Sequence, residues 1–331
     1  MTGIDLSGGS LIQVADACPA CRAPGVRPVE SASVAEIAGA WARQPHVAAG
    51  RSAARVLADA REDLGTDRVV FLACGACGVE FAAPMRAWTA GHYPPEEYGL
   101  AFDHLRALDL LGGTKPLRLL EIGCADGRFL ERAAALGHRA TGVDFYAPAV
   151  AAARGRGLDA HVGDVAALRA AIGADAAFDA VAMFQIIEHL CDPDAVFADL
   201  GAVAAPGALL LVGCPSDRRY TRRVPHPERV GRSDFWDWPP QHTLRWGAAS
   251  LRAFLARHGW RVERAEYEPF SLVGAAAHVA ALRGEAGGWA RRPLRRRMET
   301  ARALAEVALA RRKGPLSGVR LLVVARKEGA G

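Results

Sequence analysis

A chain of 331 residues with 51% hydrophobic and 23% charged residues has room for one large α/β domain and a smaller appendage. It contains no uninterrupted apolar run of about 18 residues and no signal-like N-terminus, so we expect no membrane segment and a cytoplasmic location. The net charge is +5, but all but three of the basic residues, histidine aside, are arginines in an alanine-rich chain, which indicates GC-rich coding rather than a nucleic-acid-binding face.

Four of the seven cysteines form two close pairs, each enclosing two residues: Cys18 with Cys21, and Cys74 with Cys77. The first pair lies in a Pro- and Gly-rich stretch, 15–30, which predicts a turn-rich knuckle. The second lies in 67–84, which predicts two short strands around a second knuckle. Four thiolates at this spacing would close a tetrahedral structural zinc site. Four buried thiols without a metal are the alternative.

The 52 residues between the two pairs exceed the usual ribbon spacing, and predicted helices explain them as an insertion. The first helix covers 33–44, with Ser33 as N-cap and Glu36 completing a capping box. The second covers 52–63.

From residue 117 strands alternate with helices, a pattern typical of a doubly wound parallel sheet. The predicted strands are 117–122, 139–143, 159–162, 178–184, 207–213, 260–268 and 318–326. The predicted helices are 127–137, 146–155, 165–172, 193–204 and 248–258. We therefore predict a Rossmann-like α/β fold with a seven-stranded, mostly parallel sheet and helices on both faces, plus a small zinc-ribbon and helical module.

Three regions follow from these elements. Residues 1–88 form the predicted zinc-binding module, 89–114 an aromatic, proline-broken linker and a helix, and 115–331 the main domain. An arginine-rich helical insertion, 271–317, interrupts the main domain. Its RRPLRRR run, 291–297, is read as a solvated face, with a docking surface for an acidic partner as the alternative.

The strongest motif is LRLLEIGCADGRFL at 117–130. A buried strand ends near Glu121, and Gly123 and Gly127 bracket a tight turn into a helix whose free N–H groups can meet a ligand. A dinucleotide site would carry G-x-G-x-x-G, which is absent here. The next strand exits at Asp144, 21 residues after Gly123, where a carboxylate can accept hydrogen bonds from both ribose hydroxyls.

The following two strands repeat this pattern. Asp164 comes just past the third strand, at a spacing that suits an adenine amine, and Phe184 and Gln185 follow the fourth. Ligands bind at the carboxyl ends of open α/β sheets, so these groups should share one crevice. Helix-capping carboxylates could explain any one of these positions, but hardly all of them.

The stretch from about 115 to 326 resembles class I S-adenosylmethionine (SAM)-dependent methyltransferases, especially those similar to ubiquinone-biosynthesis O-methyltransferases. The matching segments are LEIGCADGRFL, GVDFY, GDV, FDAVAMFQIIEHLCDP, PGALLLVGCPS and QHTLRWGAASLRAFLARHGWRV. The resemblance implies a SAM site with Glu121, Gly123, Asp126 and Gly127 around the methionine part, Asp144 at the ribose, Asp164 and Val165 at the adenine, and Phe184 and Gln185 on the sulfonium side. Cys124 and Phe145 complete the predicted cofactor-binding residues.

One position departs from that family pattern. Ala125 stands where such methyltransferases usually carry a glycine. Because alanine tolerates a positive φ less easily than glycine, we expect a conventional backbone conformation at Ala125.

The cysteine region also resembles part of this group. CGACGVEF followed by HYPPEEYG is similar to the N-terminal cysteine ribbon of sugar and natural-product methyltransferases, in which the ribbon caps the substrate side. A closed four-cysteine site leaves no open coordination position, so the implied Zn²⁺ is structural.

Two histidines are candidates for the base that takes a proton from the acceptor. His189 follows the fourth strand, and similarity to enzymes with a Glu-His-Leu motif favours it. His242 lies in the aromatic loop 235–246, and Glu188 could orient either ring. The alternatives are that His189 caps a helix starting near Asp192, that His242 is a hydrogen-bonded loop residue, or that proximity alone drives the reaction.

We therefore predict methyl transfer from SAM to an oxygen or carbon of a small molecule, a sugar or secondary metabolite. An RNA- or tRNA-modifying methyltransferase and a non-catalytic SAM-fold scaffold are the alternatives. A nucleic-acid or membrane partner is not expected, and the oligomeric state is left open, with a homodimer as one alternative.

Overall fold

The computed structural model describes residues 3–4, 12–13, 17–44, 47, 50–86, 99–173, 177–286 and 292–329. The strands are β1 (Gly3–Ile4), β2 (Ile12–Gln13), β3 (Val26–Ser33), β4 (Arg68–Cys74), β5 (Glu80–Ala83), β6 (Arg118–Ile122), β7 (Arg139–Asp144), β8 (Asp159–Val162), β9 (Phe178–Phe184), β10 (Ala204–Pro215), β11 (Arg229–Val230), β12 (Ser233–Asp234), β13 (Leu244–Arg245), β14 (Trp260–Tyr267) and β15 (Arg320–Lys327). The α-helices are α1 (Val34–Ala42), α2 (Ala53–Leu64), α3 (Phe102–Gly112), α4 (Arg128–Ala135), α5 (Ala147–Gly155), α6 (Val165–Ile172), α7 (Pro193–Val203), α8 (Ala248–Arg257), α9 (Leu272–Ala286) and α10 (Pro293–Arg312).

The chain divides into two compact units, each assembled from three separate segments. The cysteine unit comprises Met1–Pro94, Pro215–Gly247 and Tyr267–Val319, and the sheet unit comprises Pro95–Cys214, Ala248–Glu266 and Arg320–Gly331. Residues 89–98 of the predicted linker and helix lie outside the described residues. None of the helices in the described part of the chain is long and apolar enough to cross a membrane.

The sheet unit contains seven strands in the order β14-β15-β10-β9-β6-β7-β8. The pairs β10–β9, β9–β6, β6–β7 and β7–β8 are parallel. All seven predicted strands are present within three residues of their predicted bounds, so the predicted fold class is confirmed. Alternating apolar strands and amphipathic helices produce this fold because parallel strands need a crossover helix between them.

The sheet reverses its order beside β6. From β6 the chain adds β7 and β8 on one side, then returns to add β9 and β10 on the other. At such a switch point the connections leave in opposite directions and open a crevice at the carboxyl ends of the strands. Any ligand of this unit is therefore expected where β6, β7 and β9 end.

The cysteine unit contains an antiparallel sheet in the order β13-β5-β4-β3, with α1 and α2 connecting β3 to β4. Both predicted helices are confirmed, and Ser33 and Glu36 form the predicted capping box at the start of α1. Buried aromatic side chains form the core of this unit, with Trp41 packed edge-on against Phe235 and Phe71 against Trp238.

One part of the predicted knuckle over 15–30 is wrong. Residues from Val26 onward form β3, which pairs with β4. Proline in the segment suggested a turn, but β3 is an edge strand and its register shifts between Pro28 and Glu30. An edge strand with such an irregularity accommodates a residue that lacks a backbone N–H.

The predicted helical insertion, 271–317, consists of α9 and α10, which pack around buried Ala276, Val279 and Val307. The described arginines of the RRPLRRR run are exposed near the start of α10, and Arg291 lies outside the described residues.

Candidate functional site

The loop between β6 and α4 has the backbone conformation of a glycine-rich ligand-binding loop, with positive φ angles. Gly123 and Gly127 have φ values of +76° and +81°. The expectation of a conventional backbone at Ala125 is wrong, because its φ is +45°. The Ala125 N–H donates to Asp144 Oδ2 at 2.9 Å, and this charge-assisted bond offsets part of the strain of a left-handed alanine.

Asp144 joins the end of β7 to this loop. Besides accepting from Ala125, its carboxylate accepts from the N–H of Tyr146 through Oδ1 at 2.7 Å. The carboxylate is therefore held in one orientation at the carboxyl edge of the sheet. A carboxylate can accept more hydrogen bonds than these two, so Asp144 can still accept hydrogen bonds from ligand hydroxyls.

Glu121 lies in the buried part of β6, one residue before its end, and is 3% exposed. Its Oε2 has no hydrogen-bond partner among the residues that the structure describes. Burial, and then the negative charges of Asp144 and Asp126, raise the pKa of Glu121 well above its ordinary value. A buried, unsatisfied carboxyl beside two further carboxylates would be stabilised by a cation, which fits the charged groups of SAM.

This raised pKa predicts a pH-dependent effect of Glu121→Gln. From about pH 4 upward the unfolded chain ionises Glu121 while the folded chain still holds the proton, so the wild type loses stability as the pH rises. Glutamine removes that loss. We expect the variant to gain about 1–3 kcal/mol over the wild type at pH 8 and less at pH 5, in urea unfolding without ligand. A pH-independent difference would contradict the assignment.

Asp126, in the same loop, faces two arginines rather than standing alone. Its Oδ2 accepts from Arg128 Nε at 3.0 Å and from Arg156 Nη2 at 3.1 Å. These ion pairs connect the loop to Arg128, the first residue of α4, and to Arg156, the C-cap of α5. Beside it, Cys124 is buried, and burial followed by the charge of Glu121 raises its pKa, so it remains a neutral thiol.

The predicted adenine side lies at the ends of β7 and β8. Asp164 is the N-cap of α6, and its Oδ1 accepts from the Ala167 N–H at 2.8 Å, so helix capping accounts for one of its oxygens. Val165 is buried as the first residue of that helix. Phe145 is 78% exposed, as an unstacked aromatic ring at a nucleoside site would be.

Phe184 and Gln185 follow β9 directly. Phe184 is buried with its ring edge-on to Phe129, at 4.8 Å between centroids. Gln185 adopts a left-handed backbone with φ of +55°. Its side-chain Nε2 donates to Asp103 Oδ2 at 2.9 Å.

Asp103 is the residue that the sequence reasoning missed. It is fully buried in the first turn of α3, ahead of the strand-and-helix pattern that drew attention to the other positions. A signal was present, because Asp103, Ala107 and Leu111 form a stripe at helical spacing. A carboxylate on an otherwise apolar stripe indicates a buried charge with a partner.

Glu188 and His189 lie in the short 3₁₀ turn after β9, with His189 Nε2 3.9 Å from Glu188 Oε1. Glu188 is buried and the His189 side chain is 21% exposed. Asp192, not His189, caps α7, since its Oδ1 accepts from the Ala195 N–H at 3.1 Å. The capping alternative for His189 is therefore wrong.

His242 belongs to the cysteine unit, where it lies in a buried network of charges. Its Nδ1 is 3.1 Å from Asp237 Oδ1, and Asp237 is ion-paired with Arg219. Burial lowers the pKa of His242 below its ordinary value, against the raising effect of Asp237. The ring is thus neutral near pH 7, as a base must be before it takes a proton.

The four paired cysteines meet in the cysteine unit, with all four sulfurs within 4.8 Å of one another. Cys18 Sγ and Cys77 Sγ are 3.6 Å apart, as are Cys21 Sγ and Cys74 Sγ. Backbone N–H groups of Ala20 and Ala76 donate to the first sulfur of each knuckle at 3.3 Å. Four sulfurs converging from two turns fit a tetrahedral thiolate site for Zn²⁺.

Comparison with known proteins identifies the family. A family model described as "Methyltransferase domain" matches residues 96–265, just over half of the chain. The chain therefore belongs to this family. This membership confirms the resemblance inferred from the strand-end motifs.

Two curated relatives illustrate the extent of the similarity. A probable S-adenosylmethionine-dependent methyltransferase from Mycolicibacterium smegmatis is 32% identical over 44% of this chain and 52% of its own length. A ubiquinone biosynthesis O-methyltransferase from Caulobacter is 30% identical over 42% of this chain and 58% of its own. The chain thus spans about half the length of the curated relatives it matches.

Solved structures give a weaker likeness. An S-adenosylmethionine-dependent methyltransferase from Mesorhizobium loti has a TM-score of 0.44 and 20% identity, covering 69% of this chain and 99% of that one.

Proposed function

We propose that this protein transfers a methyl group from SAM to an oxygen or carbon of a small molecule, a sugar or secondary metabolite. The observation that carries the proposal is the buried, unsatisfied carboxyl of Glu121 beside Asp144, at adjacent strand ends next to a glycine-rich loop. SAM supplies an electrophilic methyl group when it is bound. The relative from Caulobacter is named a ubiquinone biosynthesis O-methyltransferase, which supports an acceptor oxygen.

The residues of this chain have distinct roles in the proposed site. Glu121 attracts the positive charges of the cofactor, and Asp144 accepts from the ribose hydroxyls while it holds the left-handed loop through Ala125. Phe145 covers one face of the purine, and Asp164 and Val165 lie at its edge. Positioning an acceptor about 3 Å from the methyl carbon can supply roughly 7–11 kcal/mol of the barrier reduction.

Calorimetry with SAM and a mass-spectrometric screen test this proposal together. The chain should bind SAM in the calorimeter. One compound from a panel of sugars, nucleotide sugars, phenols and polyketide acids should gain about 14 mass units, the mass of one CH₂, only when SAM is present. A folded chain that binds no SAM would overturn the proposal. If the chain binds SAM but methylates structured RNA instead of a small molecule, the proposed acceptor class is wrong and RNA takes its place.

Two histidine variants distinguish the candidate bases. We expect His189→Ala to lower turnover by about 10²–10⁴-fold, the usual contribution of a general base, with SAM affinity nearly intact. His242→Ala, measured in parallel, serves as the comparison. If turnover falls in the His242 variant alone, the base is His242; if it falls in neither, positioning drives the reaction.

We also propose that the four-cysteine cluster holds one structural Zn²⁺. Four thiolates fill the tetrahedron, so the ion has no position left for a substrate and contributes to folding alone. The regional boundaries drawn from the sequence and the cytoplasmic location remain predictions.

A further inference from the structure

A buried ionic cluster lies beneath the end of β9 in the sheet unit. Its centre is Asp103, which is fully buried. Arg320 Nη1 on β15 lies 3.3 Å from both carboxylate oxygens of Asp103, and His104 Nδ1 lies 3.1 Å from Oδ1. Burial would raise the pKa of Asp103, but the His104 hydrogen bond and the Arg320 charge lower it overall. Asp103 is therefore an ionised acceptor near pH 7.

This charge determines how the Gln185 amide is turned. An ionised carboxylate can accept hydrogen bonds but cannot donate them, so Gln185 must present its NH₂ group to Asp103. The carbonyl oxygen Oε1 then points the other way. A carbonyl dipole with its negative end at the carboxyl edge of β9 favours a positively charged ligand.

The backbone around Gln185 is adapted to this contact. Gln185 is left-handed, and its N–H donates to the Gly213 carbonyl at 2.8 Å. A Cβ on Gly213 would lie 2.4 Å from Asp103 Oδ2 and 2.8 Å from Phe184 Cδ1. Gly213 thus leaves the space in which Asp103 reaches Gln185.

We propose that Asp103 is a positioning residue of the cofactor site: by holding the Gln185 NH₂, it aims the Gln185 carbonyl at the sulfonium end of SAM. This rests on the proposed function, since it requires SAM to occupy the crevice. Asp103 acts through Gln185 and makes no contact with the cofactor.

Calorimetric SAM affinity of Asp103→Asn tests the proposal. The change keeps the shape but removes the charge, so the Gln185 amide can turn over, and we expect SAM to bind about tenfold more weakly. Asp109→Asn is the matched control, because Asp109 lies on the same helix, exposed and paired with Arg106. The control should bind SAM as the wild type does.

A double-mutant cycle separates positioning from general stability. Gln185→Met keeps the length of the side chain without its polar atoms and should also weaken SAM binding about tenfold. Adding Asp103→Asn to Gln185→Met should then change the affinity less than twofold. Equal losses from Asp103→Asn in both backgrounds would overturn the proposal, since a purely structural role needs no Gln185 amide.

Three further outcomes are informative. If Asp103→Asn does not fold, Gln185→Met decides alone, and full SAM affinity in that variant overturns the proposal. If the wild type binds no SAM, the proposed function is wrong, and the positioning role of Asp103 is wrong as well. A wild type that binds SAM beside an Asp103→Asn variant of equal affinity overturns the positioning role only.

Discussion

Replacing Asp144 with alanine should abolish measurable SAM binding in calorimetry. The carboxylate is the expected acceptor for both ribose hydroxyls, and charge-assisted hydrogen bonds contribute about 1.5–3 kcal/mol each, so at least a hundredfold loss follows. The same carboxylate accepts from the Ala125 N–H. Its removal therefore also releases the loop that the cofactor must meet, and the two effects act in the same direction.

Asp159→Ala is the control for this experiment. Asp159 begins β8, the strand beside β7, and so lies at the edge of the sheet opposite the carboxyl ends. SAM affinity should be unchanged in this variant. Undiminished affinity in the Asp144 variant, with its unfolding curve like that of the wild type, would remove Asp144 from the ribose site.

Replacing Cys74 with serine should release zinc and unfold the cysteine unit. Elemental analysis of the wild type is expected to find about one zinc per chain. Structural zinc in small domains contributes on the order of 10 kcal/mol, more than the net stability of most domains. The variant should therefore lose the metal together with the near-ultraviolet circular dichroism of the buried tryptophans of this unit, among them Trp41 and Trp238.

Cys191→Ser provides the matched control, because Cys191 is exposed and outside the four-sulfur cluster. It should keep both the zinc and the spectrum. A wild-type chain that is fully folded without metal would refute the structural zinc site.

Local patterns predicted most of the sheet unit. Alternating apolar strands and helices are encoded in neighbouring residues, and so are the strand ends at Glu121, Asp144 and Phe184. Capping is equally local, as the Ser33–Glu36 box shows. At these positions the residues that carry the signal are neighbours in the sequence, so the sequence alone was enough to predict the elements.

The misses share a physical cause. The backbone at Ala125 depends on a carboxylate 19 residues away, and the edge position of β3 depends on where β4 lies. Asp103 is ion-paired with Arg320, which lies 217 residues away along the chain. The stripe on α3 indicates that Asp103 is buried with a partner, but no local pattern identifies that partner, because such long-range pairs form only when the chain is folded.

The alternation of the chain between its two units has a consequence for biosynthesis. The chain passes from one unit to the other five times, and β15, from the last segment of the sheet unit, lies between β14 and β10 rather than at an edge. While the nascent polypeptide leaves the ribosome, neither unit can be completed before its last segment, Tyr267–Val319 or Arg320–Gly331, has been translated. Domain-by-domain co-translational folding is thus unavailable to this protein, and no single cut in the gene would yield two self-sufficient halves.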